Sequence, residues 1–129
     1  MKLLGLDYGK KRLGVAISDE TGVFALPHSV LQNDGSEIQK IMEIAKKFLV
    51  TVVVLGESND YSGKKNEIQN DIEIFKNKIE SAGLKVVYEL EFMTSMHAER
   101  LQGKNDMTDA SAAALILQSY LDRSKPHNE

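Results

Sequence analysis

The strongest constraint on the fold of this chain is a pair of apolar runs near its start, which a short turn separates. The first run covers residues 2–8, the second covers residues 13–18, and the turn between them reads Gly-Lys-Lys-Arg. Two short apolar runs joined by a glycine-containing turn are typical of a β-hairpin. The sequence therefore predicts a sheet that begins with two antiparallel strands.

Beyond the hairpin, the sequence alternates between strand and helix patterns. A third run, Val23–Leu31, contains Pro27, and proline confines a strand to a sheet edge or interrupts it. Unbroken β-branched residues predict a strand at 51–55 that is buried on both faces. Further strand and helix patterns predict a strand at 84–90 and helices at 36–49 (with Ser36 as the N-cap), 66–82, 94–102 and 109–121.

This order of elements predicts an α/β fold with a mixed sheet of five strands. Three strands form an antiparallel meander, and the later strands join it in parallel because helices connect them. Helices then cover both faces of the sheet. We expect a single domain over residues 1–122, followed by a flexible C-terminal tail at 123–129 that contains Pro126.

Composition restricts the function classes. The chain has 129 residues, no cysteine and a formal net charge of −3. Disulfides and thiolate metal sites are excluded, which fits a reducing compartment. Neither a membrane-spanning run nor a charged-then-apolar leader is found, so we expect a cytoplasmic protein without a membrane partner. The acidic balance argues mildly against nucleic-acid binding through overall charge, although a local basic patch remains compatible with it.

Three acids stand at positions that suggest metal chemistry: Asp7 in the first strand, Glu91 after the last strand and Asp109 at the start of the last helix. A solvated strand end accounts for Glu91 alone, and the helix macrodipole accounts for Asp109 alone. Asp7 is harder to explain, because an acid is disfavoured within an apolar strand. Together the three predict ligands for Mg²⁺ or Mn²⁺, which prefer carboxylate oxygens.

Other site chemistries find less support in the sequence. The three histidines are scattered, which argues against zinc, and no glycine-rich loop ending in Lys-Ser or Lys-Thr is present. The basic turn residues Lys10, Lys11 and Arg12 are candidates for binding phosphate beside the acids. A solvated hairpin turn explains the same three residues equally well.

The stretch Gly5–Asp19 closely resembles the opening motif of the bacterial YqgF family, and Asp109–Leu121 resembles the closing helix of that family. Its members have a ribonuclease H-like fold and are described as nucleases of pre-16S rRNA, and earlier as Holliday-junction resolvases. The resemblance covers nearly the whole chain. It therefore implies a ribonuclease H-like fold for this chain.

The resemblance also implies roles for particular residues. Asp7, Glu91 and Asp109 would be the catalytic carboxylates that hold the metal, and Arg12 would bind substrate. The implied activity is a metal-dependent nuclease that acts in the 5′-end processing of pre-16S rRNA, with a DNA junction as the alternative substrate. Two ions about 3.5–4 Å apart would activate the attacking water and stabilise the leaving oxygen.

Two other functions stay open at this point. The family pattern has arginine where this chain has Phe92, and Gly-Leu-Pro where it has Gly56-Glu57-Ser58. These departures, with the acidic net charge, favour a non-catalytic member that binds RNA or a protein partner. A turn of the form Asp-x-Gly also opens actin-like ATPases and sugar kinases, but those folds place two such domains around the nucleotide.

Overall fold

The computed structural model describes residues 2–57, 67–90 and 106–124. The strands are β1 (Leu3–Tyr8), β2 (Arg12–Ser18), β3 (Ala25–Gln32), β4 (Val52–Glu57) and β5 (Lys85–Leu90). The helices are α1 (Glu37–Phe48), α2 (Glu67–Ser81) and α3 (Asp106–Ser124). The helix predicted at 94–102 and the candidate ligand Glu91 lie outside the described residues. The other eight predicted elements are present.

The five strands form one mixed sheet in the order β3-β2-β1-β4-β5. Strand β2 pairs antiparallel with both β1 and β3, whereas β4 pairs parallel with both β1 and β5. The predicted meander and its parallel continuation are therefore confirmed. Because β1, β4 and β5 run in the same direction, their carboxyl ends lie at one edge of the sheet, and Asp7 stands at that edge.

Pro27 has both of the effects that its position predicts. Strand β3 is an edge strand, so the missing N–H of the proline removes no bond from a central ladder. The register against β2 also shifts, since Val15 pairs with Ser29 while the adjacent Ala16 pairs with Pro27. His28 is thereby left out of the pairing, and the strand is interrupted as well as peripheral.

Side chains from the two faces of the sheet form separate hydrophobic clusters, as the period of two along a strand requires. On one face, leucine and valine side chains of the strands pack against α1 and α2 through Ile41, Ile72 and Ile79. On the other face, Ala16 and Val54 pack against α3, which contributes Ala113, Ile116 and Leu117. The prediction of helices on both faces is confirmed.

Alternation along β1 assigns Asp7 to the α3 face. Leu4, Leu6 and Tyr8 all belong to the cluster beneath α1 and α2. Successive side chains of a strand point to opposite faces, so Gly5 and Asp7 face α3. The helix lies very close to the sheet here, because a Cβ added at Gly5 would come within 2.7 Å of the Leu117 Cβ.

The start of α1 departs from the sequence prediction in its capping. Ser36 occupies the N-cap position, but its side chain makes no capping hydrogen bond. Its hydroxyl instead donates to Asp34 at 2.6 Å, and the carboxylate of Glu37 accepts a bond from the Gly35 N–H at 2.7 Å. Ser36 is therefore the N-cap residue as predicted, but its side chain binds within the preceding turn, as does that of the buried Glu37.

Helix α3 also differs from its predicted bounds. It begins at Asp106 and ends at Ser124, so it extends two residues past the expected domain limit at residue 122. Residues 125–129 of the predicted tail lie outside the described residues. Among the helices that the structure describes, none is both long and apolar enough to cross a membrane.

Candidate active site

Asp7 lies in β1, the middle strand of the sheet, one residue before the carboxyl end of that strand. Its backbone pairs with Gly14 of β2, and its side chain is partly buried on the α3 face. A carboxylate in such a position needs a compensating cation or donors, because burying a charge is costly. The residues opposite Asp7 therefore decide what this position can do.

Gly14 places the start of α3 directly over β2. A Cβ added at Gly14 would lie 1.8 Å from the carbonyl oxygen of Asp109 and 2.4 Å from its carbonyl carbon. Only glycine allows the two backbones to approach this closely. Since Gly14 pairs with Asp7 across the hairpin, this contact brings the backbones of Asp7 and Asp109 to the same place, although about a hundred residues separate them in sequence.

Asp109 contacts one member of the basic turn. The Nε of Arg12 lies 3.0 Å from the Oδ2 of Asp109, and the two side chains are 39% and 29% exposed. The Oδ2 atom itself is closed to solvent and has no hydrogen-bond partner among the described residues. The contact is therefore one of charge rather than an aligned hydrogen bond, and the oxygen keeps unused acceptor capacity.

An acceptor oxygen of this kind suits a hard divalent cation. In the described part of the chain, no group of three acids or histidines is arranged to hold a metal ion. The third predicted ligand, Glu91, lies outside the described residues. The fit to a metal thus depends on the Oδ2 of Asp109 and on the backbone contact that brings Asp109 to Asp7.

The basic turn is held in place by Asn33, which no sequence pattern singled out. The backbone N–H of Asn33 donates to the Lys11 carbonyl at 2.9 Å, and its side-chain amide donates to the Gly9 carbonyl at 2.8 Å. Lys10 and Lys11 are exposed on this turn. Asn33 thus fixes the turn on both sides of Lys10. The sequence clue to this role is an asparagine directly after a strand that pairs with the hairpin.

Glu89 is a second acid on the α3 face, and it was not among the predicted site residues. It is 8% exposed, accepts a 2.7 Å hydrogen bond from the Ser119 hydroxyl and forms an ion pair with Arg123. The hydrogen bond to Glu89, reinforced by its charge, raises the pKa of the Arg123 guanidinium. Glu89 thus links β5 to α3. The sequence clue to an inward-facing acid is the position of Glu89 in an alternating strand.

Comparison with known sequences finds full-length relatives. The sequence model of the family described as RuvX, Holliday junction resolvase, matches residues 1–123. A protein of Sulfurihydrogenibium sp. (strain YO3AOP1) named "Putative pre-16S rRNA nuclease" is 33% identical, with 99% of this chain and 94% of that protein covered. A protein of the same name from Streptococcus uberis is 34% identical, with 96% and 99% covered. The family resemblance predicted from the opening motif and the closing helix is confirmed.

Solved structures share the architecture. T. thermophilus RuvC in complex with Holliday junction substrate superposes with a TM-score of 0.62 at 18% identity, covering 95% of each chain. The Fowlpox virus resolvase in complex with Holliday junction DNA gives a TM-score of 0.55 at 16% identity, covering 95% of this chain and 98% of that one. Similarity at this level of identity shows the fold, and the predicted ribonuclease H-like fold is confirmed.

Proposed function

Because the chain belongs to the RuvX family, we propose that it is a metal-dependent nuclease that hydrolyses phosphodiester bonds of structured nucleic acid. The names of the curated relatives favour a precursor of 16S rRNA as substrate, and we propose that the cut belongs to its 5′-end processing in the cytoplasm. The family description makes a DNA junction the alternative. The observation that carries the proposal is the buried Oδ2 of Asp109, which has no hydrogen-bond partner among the described residues.

We assign the metal-binding role to Asp7 and Asp109, with Glu91 as the third ligand. Their carboxylate oxygens suit Mg²⁺ or Mn²⁺, either of which supplies water activation and charge neutralisation at the scissile phosphate when bound. Asp7 and Asp109 are brought together by the backbone contact at Gly14. Glu91 follows β5 directly in the sequence, and β5 runs parallel to β1 and β4.

The substrate-binding role falls to the basic turn. Lys10 and Lys11 are exposed on the turn that follows β1, and Asn33 holds the backbone that carries them. Lysine side chains bind phosphate mainly as point charges, so their contribution falls as salt rises. With a net charge of −3, the chain depends on this local patch rather than on its overall charge.

Cleavage assays on three variants test this function. Purified protein is incubated with Mg²⁺ or Mn²⁺ and with either a labelled RNA spanning the 5′ end of pre-16S rRNA or a labelled four-way DNA junction. We expect Asp7→Asn and Asp109→Asn each to lower the rate by about 100-fold or more, because a bound metal contributes several kcal/mol to transition-state stabilisation. Asp122→Asn removes an exposed carboxylate from the same helix and serves as the control.

The outcomes separate the candidates. Cleavage at the wild-type rate by Asp7→Asn would remove Asp7 from the mechanism. Preference for the RNA or for the junction decides the substrate class. A non-catalytic member of the family is the second candidate, favoured by Phe92 in place of the family arginine. It predicts RNA binding without any heat of Mn²⁺ binding in calorimetry at millimolar metal.

A further inference from the structure

Arg12 stands between the two halves of the proposed site. It is the first residue of β2, follows the exposed Lys10 and Lys11 directly, and places its Nε 3.0 Å from the Oδ2 of Asp109. We propose that Arg12 is an exchangeable counter-ion: a divalent cation takes its place on Asp109, and the released guanidinium binds a phosphate of the nucleic acid. This proposal rests on the metal-binding role assigned above to Asp109.

The geometry of the contact favours exchange over a permanent ion pair. The most specific arginine–carboxylate pairs use aligned, parallel hydrogen bonds, whereas the contact of the Arg12 Nε with the Asp109 Oδ2 lacks this alignment. That oxygen has no aligned hydrogen bond from any described residue, and both side chains remain partly exposed. An ion pair without aligned hydrogen bonds lacks the strongest part of an arginine–carboxylate interaction. A divalent cation on the same carboxylate carries twice the charge.

A metal ion and the guanidinium compete for the same oxygen. A cation on the Oδ2 of Asp109 would lie close to the Arg12 side chain and repel its charge, which arginine retains at any accessible pH. The Arg12 backbone is held by its pairing with Gln32, so the exchange moves the side chain and leaves the strand in place.

The Arg12 guanidinium, once released from Asp109, binds a phosphate of the nucleic acid at the basic turn. Arg12 continues the basic turn that already presents Lys10 and Lys11, and its planar group matches the geometry of a phosphate. Before the metal binds, Arg12 neutralises Asp109; afterwards it adds a cation to the substrate-binding turn. Metal and nucleic acid therefore strengthen the binding of each other through this one side chain, and the coupling is reciprocal.

Calorimetric titration of Mn²⁺ into the full chain tests the first step. We expect Arg12→Gln to bind Mn²⁺ about two- to fivefold more tightly than the wild type, because the competing ion pair is lost. Lys11→Gln removes the same charge from the neighbouring exposed position, which has no recorded contact with Asp109. It should change the Mn²⁺ affinity by less than about twofold, since salt and water screen the exposed charge.

Nuclear magnetic resonance of the wild type tests the second step. The Arg12 Nε–H signal, assigned by its loss in Arg12→Lys, is followed during titration with Mg²⁺ and then with inorganic phosphate. We expect Mg²⁺ to shift this signal, and phosphate to shift it further only when Mg²⁺ is present. A thermal melt of each variant establishes that it is folded. If Arg12→Gln fails to fold, the response of the wild-type Arg12 signal to Mg²⁺ alone decides whether the exchange takes place.

Three negative results have two different meanings. If Asp109→Asn abolishes Mn²⁺ binding while Arg12→Gln binds Mn²⁺ as the wild type does, exchange is wrong and the metal site stands. An Arg12 signal that stays fixed at saturating Mg²⁺ has the same meaning. Absence of Mn²⁺ binding in the wild type would overturn both the metal site and the exchange.

Discussion

At the residue scale, Gly14 controls the position of Asp109. The start of α3 touches the β2 backbone at this glycine, and any side chain there would overlap the Asp109 carbonyl. The overlap involves backbone atoms, so rotation of a side chain does not relieve it. Asp109 reaches the centre of the sheet because residue 14, on the strand next to Asp7, lacks a Cβ.

Gly14→Ala should therefore displace α3 at its start. We expect a loss of about 1–3 kcal/mol in the free energy of unfolding, as for overpacked cores, together with weaker Mn²⁺ binding. Gly5→Ala is the matched control, because it crowds the same helix two turns later, at Leu117. It should lower the stability in urea while leaving the Mn²⁺ affinity near the wild-type value. Equal Mn²⁺ affinities in the two variants would contradict the role given to Gly14.

At the scale of the element, the end of α1 shows how local geometry overrides helical periodicity. Leu49 is the last residue of the predicted helix, but it adopts a left-handed conformation with φ of 60° and is 81% exposed. The chain then turns so that Val50 is buried and its N–H donates to the Ala45 carbonyl at 2.8 Å. Glycine is the usual residue at such a helix end, because a Cβ strains the left-handed region.

Leu49→Gly should stabilise the protein by about 1 kcal/mol, since it removes backbone strain and little buried surface. Leu49→Ala is the control that removes the same side chain but keeps a Cβ. Urea unfolding at neutral pH measures both variants. We expect Leu49→Gly to unfold at a higher urea concentration than Leu49→Ala. Equal midpoints would show that the backbone at residue 49 is unstrained.

At the scale of the whole molecule, Glu89 joins the edge strand β5 to the final helix. Its carboxylate binds Ser119 and Arg123, so the last two described elements of the chain are linked by charge as well as by the apolar cluster. The two partners differ in burial, because Glu89 is 8% exposed whereas the Arg123 side chain is 63% exposed. Removing one charge or the other should therefore have unequal effects.

Arg123→Gln should lower the melting temperature more than Glu89→Gln does. The first change leaves a buried carboxylate without its cation, whereas the second leaves an exposed guanidinium that water solvates. Glu89→Gln also keeps an oxygen that can accept the Ser119 hydrogen bond. Thermal melts at pH 7 compare the two variants with the double substitution, which should be less destabilised than Arg123→Gln alone. The reverse order would mean that the ion pair is screened.

The sequence by itself determined the hairpin, the mixed sheet, the helices on both faces and the family. The elements follow from local patterns, such as the apolar runs on both sides of the basic turn and the proline in β3, the mixed sheet follows from their order, and the family follows from two sequence motifs. Asp7 was also singled out from local pattern, because an acid in an apolar strand is conspicuous on its own. Its catalytic role remains a prediction, as do those of Glu91 and Asp109.

Tertiary structure alone decided which residues face one another. Four contacts join residues that are distant in sequence. They are the approach of Asp109 to Gly14, the ion pair of Arg12 with Asp109, the hydrogen bonds of Asn33 to the basic turn and the ion pair of Glu89 with Arg123. Such contacts depend on strand register and on the close approach of α3 to the sheet, and periodicity within one segment carries neither. Local sequence patterns thus predict the strands and helices, whereas the packing of α3 against the sheet forms the candidate site.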